Sequence, residues 1–270
     1  MNHKTKPLSY PVEQDIVDEK RAVKKHSDIQ IRSLSLSMQG KKILNDINLS
    51  LSSTGITTLI GPSGAGKSSL LRCITRLNKT WIGDIHISEK NVARWPGGDE
   101  ALRCHVGLIA QKPCVFPTTI KANVVFGLSR KARRQSDELI EMCLKQVALW
   151  EEVRDRLNAP ATTLSLGQQQ RLCLARALAI QPKVLLLDEP TASLDPKSKQ
   201  LIEQTMLQLS KSIPLVCITH DLDQAKRLGG MTVFMCNGEV IEQSACETFF
   251  SQPSRIESKE FLRWHVCDCD

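Results

Sequence analysis

The chain has 270 residues, with 36 lysines and arginines against 29 aspartates and glutamates, a formal net charge of +7, and 41% hydrophobic residues. At ~150 residues per domain, this length predicts one large or two small globular domains, and the composition excludes wholesale disorder and collagen-like repeats. No run of ~20 largely apolar residues is free of charged or strongly polar interruptions, so no membrane span is predicted.

The two ends of the chain differ in character from its middle. Residues 1–28 are polar, mix basic with acidic side chains and show no sustained periodicity, which predicts a mobile extension. They contain no apolar run that could form the core of a signal peptide, so export is not expected. At the other end, Cys267 and Cys269 form a C-x-C pair without nearby paired ligands. A frayed tail over residues 266–270 is therefore favoured over a zinc site.

The chain contains ten cysteines. Most are spaced singly among apolar residues, a distribution that favours buried reduced thiols over disulfides. These single cysteines are Cys73, Cys104, Cys114, Cys143, Cys173, Cys217 and Cys236.

From residue 29, apolar and polar residues alternate along two segments. The apolar positions are Ile31, Leu34 and Leu36, followed by Ile47, Leu49 and Leu51. Alternation of this kind is typical of half-buried antiparallel strands. It predicts a β subdomain at the start of the fold.

Three short aliphatic runs, Ile56–Ile60, Val184–Leu187 and Leu215–Thr219, are typical of parallel strands buried on both faces. After the first run, a predicted helix over residues 68–77 has an apolar face formed by Leu70, Leu71, Ile74 and Leu77. Strands that alternate with helices indicate the α/β class. Charged helical patterns over about residues 116–179 predict a helical subdomain inserted into this core, and Asn237-Gly238 predicts a tight hairpin.

The segment Gly61-Pro62-Ser63-Gly64-Ala65-Gly66-Lys67-Ser68 fits the pattern G-x-x-x-x-G-K-[ST] and directly follows a predicted strand. Its glycines let consecutive backbone N–H groups point at an anion, and the helix that begins near Lys67 adds the positive end of its dipole. Lys67 is expected to reach the β- and γ-phosphates, and Ser68 is expected to bind Mg²⁺. A Gly-rich turn without function would rarely show this order of residues. We therefore predict a nucleoside triphosphate site over residues 61–69, from Gly61 to Ser69.

Asp188 and Glu189 follow the aliphatic run Val184–Leu187. In a parallel sheet this position is the carboxyl edge, where ligands bind. Asp188 is suited to hold Mg²⁺ through its water shell, and Glu189 is suited to polarise a water for attack on the γ-phosphoryl group. Two carboxylates after a strand are more often a solvated strand end, but a P-loop upstream favours the catalytic interpretation.

Taken in order, the motifs resemble those of ATP-binding cassette (ABC) ATPases. The matching segments are the P-loop, Gln111, Leu164-Ser165-Leu166-Gly167-Gln168, Asp188-Glu189, Ser193-Leu194-Asp195 and His220. The resemblance covers about residues 29–250, and P-loop NTPases in general lack the LSxGQ element. It implies a nucleotide-binding domain over residues 29–265. This domain would have a P-loop NTPase (RecA-like) core, an antiparallel β subdomain and an inserted helical subdomain.

The resemblance also implies roles for residues outside the P-loop. The segment Ser165, Leu166, Gly167 and Gln168 would close over ATP held by a second copy of the chain. A homodimer is therefore implied, with Asp195 in its contact loop. Gln111 would lie near Mg²⁺ and the attacking water, and His220 would contact the γ-phosphate. Each alone could be an ordinary hydrogen-bonding residue, but the accompanying motifs favour catalytic roles for Gln111 and His220 beside Glu189. Ser68, Gln111 and Asp188 are the implied Mg²⁺ ligands.

Two positions depart from the family pattern. Leu166 stands where the first of two paired glycines is usual, and we expect its side chain to slow closure of the dimer without abolishing it. The aromatic residue that commonly stacks on adenine is missing from Ser37-Met38-Gln39-Gly40. Met38 could still offer a polarizable contact. Weak discrimination between nucleobases is the expected consequence.

Finer resemblance comes from Gln111–Pro117, Trp150–Leu157 and Gln168–Ala179, which are similar to the ATP-binding subunits of bacterial phosphate importers. This implies an ATPase on the cytoplasmic face of the inner membrane, bound peripherally to two permease subunits and served by a substrate-binding protein. The cargo would not touch this chain, so its identity is analogy. An importer of another small solute is one alternative. A non-transport ABC ATPase acting on nucleic acid through Arg130, Lys131, Arg133 and Arg134 is a less favoured one, and no nucleic-acid partner is expected.

Overall fold

The computed structural model describes residues 28–264. The extension predicted over residues 1–28 therefore lies outside the described residues except for Asp28. The predicted tail over residues 266–270, with Cys267 and Cys269, also lies outside them. Within the described range, no helix combines the length and the apolar character needed to cross a bilayer.

The strands of residues 28–264 form two sheets. Their bounds are β1 Ile29–Met38, β2 Lys41–Leu51, β3 Ile56–Ile60, β4 Trp81–Ile87, β5 Lys90–Asn91, β6 Val106–Ile109, β7 Val184–Asp188, β8 Leu215–Ile218, β9 Met231–Cys236 and β10 Glu239–Ala245. One sheet has the order β2-β1-β4-β5 and is antiparallel throughout. The alternating patterns in β1 and β2 are therefore confirmed as antiparallel strands.

The second sheet has the order β10-β9-β3-β8-β7-β6. Its strands from β9 to β6 pair in parallel, and only the edge strand β10 is antiparallel to its neighbour. The three aliphatic runs of the sequence form β3, β7 and β8, which confirms that they are parallel strands. Asn237 and Gly238, both at positive φ, connect β9 to β10 in the predicted hairpin.

Helices connect the strands, which confirms the α/β class. Their bounds are α1 Lys67–Ile74, α2 Gly98–His105, α3 Ile120–Val124, α4 Arg130–Arg133, α5 Asp137–Gln146, α6 Trp150–Val153, α7 Leu166–Leu178, α8 Pro196–Leu209, α9 Leu222–Leu228, α10 Cys246–Ser251 and α11 Ile256–Trp264. Helix α1 ends three residues before the predicted limit, and Leu77 is exposed instead of packing with the apolar face. Helices α3 to α7 all lie between β6 and β7, in the region predicted to be an inserted helical subdomain.

Strand β7 is packed on both faces, and its two sets of side chains enter different cores. Leu185 and Leu187 pack with residues of the α3 to α7 region, whereas Val184 and Leu186 pack with the antiparallel sheet and α1. Successive side chains of a strand point to opposite faces, so this division follows directly from the strand period of two. The apolar run therefore holds β7 between the two cores.

The cysteines only partly fit the expectation of buried reduced thiols. Cys73, Cys143, Cys173 and Cys217 are buried and free, but Cys104 and Cys114 are exposed. Cys236 is disulfide-bonded, contrary to the prediction. Single spacing in the sequence could not reveal this because disulfide pairing depends on distances in space.

We expect replacement of Leu186 by alanine to lower the free energy of unfolding by about 2–5 kcal/mol, because the cavity would lie in a fully buried strand. Urea unfolding followed by circular dichroism measures the change. Leu207→Ala is the control, since Leu207 is partly exposed on α8 and should cost far less. Equal losses in the two variants would contradict the central role of β7 packing.

Candidate functional site

Three loops meet at the carboxyl edge of the parallel sheet. Strand β3 runs into the P-loop, β7 ends at Asp188, and β8 ends two residues before His220. Together they border an open cleft of about 1050 Å³. It is lined by Lys41, Lys42, Ile43, the P-loop residues Gly61 to Ser69, Gln111, Glu189, His220, Asn237, Gly238 and Phe261. Parallel sheets bind ligands at this edge, so the cleft is the candidate site.

The P-loop backbone depends on glycine at two close approaches. Gly61 has φ 145°, and a Cβ there would lie 2.0 Å from the carbonyl oxygen of Met235. Gly66 has φ 93°, and a Cβ there would lie 2.7 Å from the Leu44 side chain. Gly66 is also the N-cap of α1 and makes no side-chain cap, which leaves the first N–H groups of the helix without a side-chain acceptor. A helix start of this kind suits an anion.

Lys67 is folded into the P-loop. Its Nζ donates to the carbonyl oxygens of Gly61 and Pro62, both at 2.8 Å, and the residue is buried. Burial lowers the pKa of Lys67, against the attraction of Glu189 and Asp188. Lys67 also borders the open cleft.

Ser68 and Asp188 are brought together by the packing of α1 against β7. The hydroxyl of Ser68 donates to Oδ1 of Asp188 at 2.9 Å. Burial raises the pKa of Asp188, and this hydrogen bond opposes the rise. The pair is half-buried and offers two kinds of hard oxygen, which is the chemistry that Mg²⁺ prefers.

Glu189 is in contact with two other predicted site residues. Its Oε2 accepts a hydrogen bond from Gln111 Nε2 at 2.7 Å and lies 3.3 Å from His220 Nδ1. The backbone N–H of Glu189 donates to Ile218, so β8 fixes its main chain. Glu189 also has φ 47°, a left-handed conformation that is uncommon for a residue with a side chain and that recurs at functional sites.

The segment Ser165–Gln168 lies at the start of α7 and does not border the cleft of its own chain. Ser165 and Gln168 form a capping box: the Ser165 hydroxyl accepts from Gln168 N, and Gln168 Oε1 accepts from Ser165 N. Gln168 also donates to Glu152 at 2.8 Å. Leu166 is 45% exposed, so its side chain projects from the molecule. Helix α7 begins at Leu166, directly after Ser165.

Asp195 has a local structural role that the motif pattern did not indicate. Its Oδ1 accepts from Ser198 N at 3.0 Å and thereby caps α8, whose first residue is Pro196. The hydrogen bonds from Ser198 hold the pKa of Asp195 below its ordinary value. A Cβ on Gly167 would lie 2.3 Å from Ser198 Oγ, so the starts of α7 and α8 are in close contact.

Several cleft residues were not predicted from the sequence. Lys41, Lys42 and Ile43 come from β2, and Phe261 comes from α11, far from the P-loop in sequence. The Phe261 ring stacks on Phe234 at 4.7 Å and the residue is buried, so its face is not open to a base. Met38 is 45% exposed and is not among the residues that line the cleft.

Comparison with known proteins assigns the family. The sequence profile of the ABC transporter family matches residues 44–192, which is more than half of the chain. The chain belongs to the ABC transporter family. The matched range contains the P-loop, Gln111, the Ser165–Gln168 segment, Asp188 and Glu189. The cleft is therefore that of an ATP-binding, ATP-hydrolysing protein.

Individual relatives extend the match over most of this ABC protein. It is 40% identical over 238 residues to phosphate import ATP-binding protein PstB 2 of Lactiplantibacillus plantarum, which covers 85% of this chain and 95% of that protein. It is 43% identical over 242 residues to phosphate import ATP-binding protein PstB of Colwellia psychrerythraea, with 87% of each chain covered.

A solved structure shares the fold. A bacterial Atm1-family ABC exporter with ATP bound matches with a TM-score of 0.77 at 22% identity. The match covers 89% of this chain and 42% of the exporter chain. At this identity the likeness concerns the fold alone.

We expect the purified ABC protein to hydrolyse GTP with a kcat/KM within about tenfold of that for ATP, because the P-loop contacts would be common to both nucleotides and residues 28–264 place no open aromatic face along the cleft. A coupled assay of ADP and GDP release measures this. A much slower turnover of GTP would contradict weak base discrimination.

Proposed function

We propose that this ABC protein is the ATP-hydrolysing subunit of an importer for inorganic phosphate. The observation that carries the proposal is 40–43% identity, over 85–87% of the chain, to proteins named for phosphate import. The catalytic groups at the cleft are consistent with it. An importer subunit of this kind acts from the cytoplasmic face of the inner membrane and is held there by its partners.

Hydrolysis in this cleft is assigned to three side chains around one water. Glu189 accepts a proton as the water oxygen attacks the γ-phosphorus, and ADP leaves from the opposite side. Gln111 Nε2 lies 2.7 Å and His220 Nδ1 lies 3.3 Å from Glu189 Oε2. These two side chains orient the carboxylate and the water. Lys67 exchanges the carbonyls of Gly61 and Pro62 for phosphate oxygens, which stabilise its charge better.

Mg²⁺ fits the residues beside the P-loop. The Ser68 hydroxyl and the Asp188 carboxylate would hold it, together with Gln111. When bound, the ion neutralises charge on the β- and γ-phosphates. No cluster of three His, Cys, Asp or Glu within residues 28–264 could hold a metal, which is consistent with a site that is completed by nucleotide oxygens.

The Ser165–Gln168 segment is assigned to the nucleotide of a second copy. It lies at a helix start, has a free hydroxyl proton on Ser165, and does not border the cleft of its own chain. Two copies that face each other would each complete the other's site, with Asp195 at the contact. ATP-dependent homodimerisation is therefore part of the proposed cycle.

A second cavity suits the permease subunits. It has a volume of about 380 Å³ and lies between β6 and the α3 to α7 region, bordered by Lys112, Pro113, Cys114 and Phe116 from the segment that resembles phosphate importers. The Arg176 guanidinium lies 4.6 Å from the Phe116 ring, which stacks on the exposed Phe126 at 4.0 Å. An apolar cavity with aromatic and arginine borders is typical of a protein interface.

Nucleic-acid binding is disfavoured by the contacts of the basic run. Arg133 donates to the carbonyl oxygens of Leu128 and Phe126, so it stabilises its own loop. That leaves Arg130 and Lys131 on an exposed four-residue helix and Arg134 directly after it, which suits a surface near anionic lipid. An importer of another solute remains the alternative that the cargo experiment tests.

The cargo is tested by transport. A strain from which the gene is deleted should lose uptake of radiolabelled phosphate at low external concentration, and the wild-type gene should restore it. Glu189→Gln should fail to restore uptake, because amide nitrogen and oxygen cannot accept the water proton as a carboxylate does. Sulfate uptake, measured in the same cells, is the control. Normal phosphate uptake in the deletion strain would contradict phosphate as the cargo.

Leu166→Gly tests the facing arrangement. Removal of an exposed branched side chain from the start of α7 should raise both ATP turnover and the ATP-dependent dimer fraction, measured by light scattering, by about two- to tenfold. Leu207→Ala, at another partly exposed leucine, is the control and should change neither quantity. Unchanged turnover and dimer fraction in Leu166→Gly would remove Leu166 from the interface.

A further inference from the structure

A buried polar cluster outside the cleft joins the two chain segments that carry catalytic residues. Gln224 on α9 is 1% exposed, and its Nε2 donates to Thr191 Oγ1 at 2.8 Å and to Glu203 Oε1 at 3.0 Å. Arg227 donates to both oxygens of Glu203 at 2.9 Å. Thr191 is also buried. The cluster therefore connects α8, α9 and the loop after β7.

The loop after β7 needs such a constraint. It runs from Glu189 to Asp195, and both Glu189 and Ser193 have positive φ, at 47° and 61°. Left-handed conformations of residues with side chains persist only where surrounding contacts hold them. Thr191 lies between the two, so a bond to its hydroxyl fixes the loop at its middle.

The other end of the connection lies next to His220. Asp221 caps α9 by accepting from the backbone N–H of Gln224 at 2.9 Å. The main chain of Gln224 is thus hydrogen-bonded to Asp221, which directly follows His220. Its side chain is hydrogen-bonded to Thr191, which lies two residues after Glu189. A shift of Gln224 would change the distance between His220 Nδ1 and Glu189 Oε2, which is 3.3 Å.

The charge of Glu203 favours this arrangement. Burial alone would raise the pKa of Glu203, but the hydrogen bonds from Arg227 and Gln224 lower it below its ordinary value. The carboxylate is therefore ionised at neutral pH and a strong acceptor for the Gln224 amide.

The stability of the fold alone does not explain why a glutamine occupies position 224. Its Oε1 is buried and has no hydrogen-bond partner among the described residues. An unsatisfied buried oxygen costs free energy, and a leucine at this position would avoid that cost. The two bonds that the amide donates are what a leucine cannot supply.

We propose that Gln224 is a positioning residue for ATP hydrolysis, which holds the loop bearing Glu189 and Asp195 in register with the helix that follows His220. The inference rests on the proposed ATPase function. It assigns no contact with nucleotide to Gln224, Thr191 or Glu203.

The experiment compares Gln224→Leu, Thr191→Val and Thr191→Ser in the full chain. The first two remove the Gln224–Thr191 bond at nearly constant volume, and the third keeps the hydroxyl. We expect kcat to fall about two- to tenfold in Gln224→Leu and Thr191→Val, with KM for ATP within about twofold of the wild type. Thr191→Ser should retain kcat. Asp223→Asn, at an exposed position of α9, is the control.

The double variant Gln224→Leu/Thr191→Val should have the kcat of the slower single variant, because both changes delete the same Gln224–Thr191 bond and Gln224→Leu also deletes the bond to Glu203. Wild-type kcat in both single variants, or independent effects that multiply in the double variant, would overturn the inference. The inference would also be overturned if the fall in kcat of each variant matched its fraction of unfolded protein, measured by urea and thermal unfolding. Should Gln224→Leu not fold, the Thr191 pair decides by the same criteria. Glu189→Gln, assayed alongside, tests the proposed function separately, since its activity does not depend on the Gln224 result.

Discussion

The packing of β7 on both faces is the constraint on which the rest of the structure depends. Its four aliphatic residues are each at most 1% exposed and face two different cores, so the strand cannot slip by one residue without reversing both. That register places Asp188 against Ser68 and turns Glu189 toward Gln111 and His220. The P-loop and Glu189 come from distant parts of the chain, and this strand brings them together.

How much of this could be read from the sequence differs between elements. The P-loop and β7 were predictable because local patterns specify them: glycines at fixed spacing, and an aliphatic run that ends in carboxylates. The approximate positions of β1, β2, β3, β7 and β8 followed from periodicity and aliphatic runs, whereas β4, β5 and β6 were not predicted. Leu77 was placed on the buried face of α1 because the pattern continues past Ile74, whereas the helix itself ends there.

Contacts between distant segments were beyond sequence reasoning. No local signal connects Phe261 with the P-loop, Gln224 with Thr191, or Cys236 with a disulfide, because each depends on the spatial arrangement of elements far apart in the chain. The roles of Gln111, His220 and Asp195 came from resemblance to a family. The structure adds contacts that a motif cannot contain: a bond from Gln111 to Glu189, and a cap by Asp195 on α8.

At the start of α7, Ser165 caps the helix and is also the residue proposed to contact the nucleotide of a second copy. A serine hydroxyl has one donor and two acceptor positions. In the capping box, Ser165 Oγ accepts from Gln168 N, so its proton is left to donate to an anion. Gln168 is fixed in turn by Glu152, whose pKa is lowered by hydrogen bonds from Arg171 and Gln168 despite a burial effect in the opposite direction.

The cap therefore orients the Ser165 hydroxyl before any nucleotide arrives, and Glu152 on α6 connects that orientation to the helical region beside the second cavity. Two hydrogen bonds, from Gln168 to Glu152 and from the Ser165 backbone N–H to Gln168, therefore join α6 to the residue that caps α7.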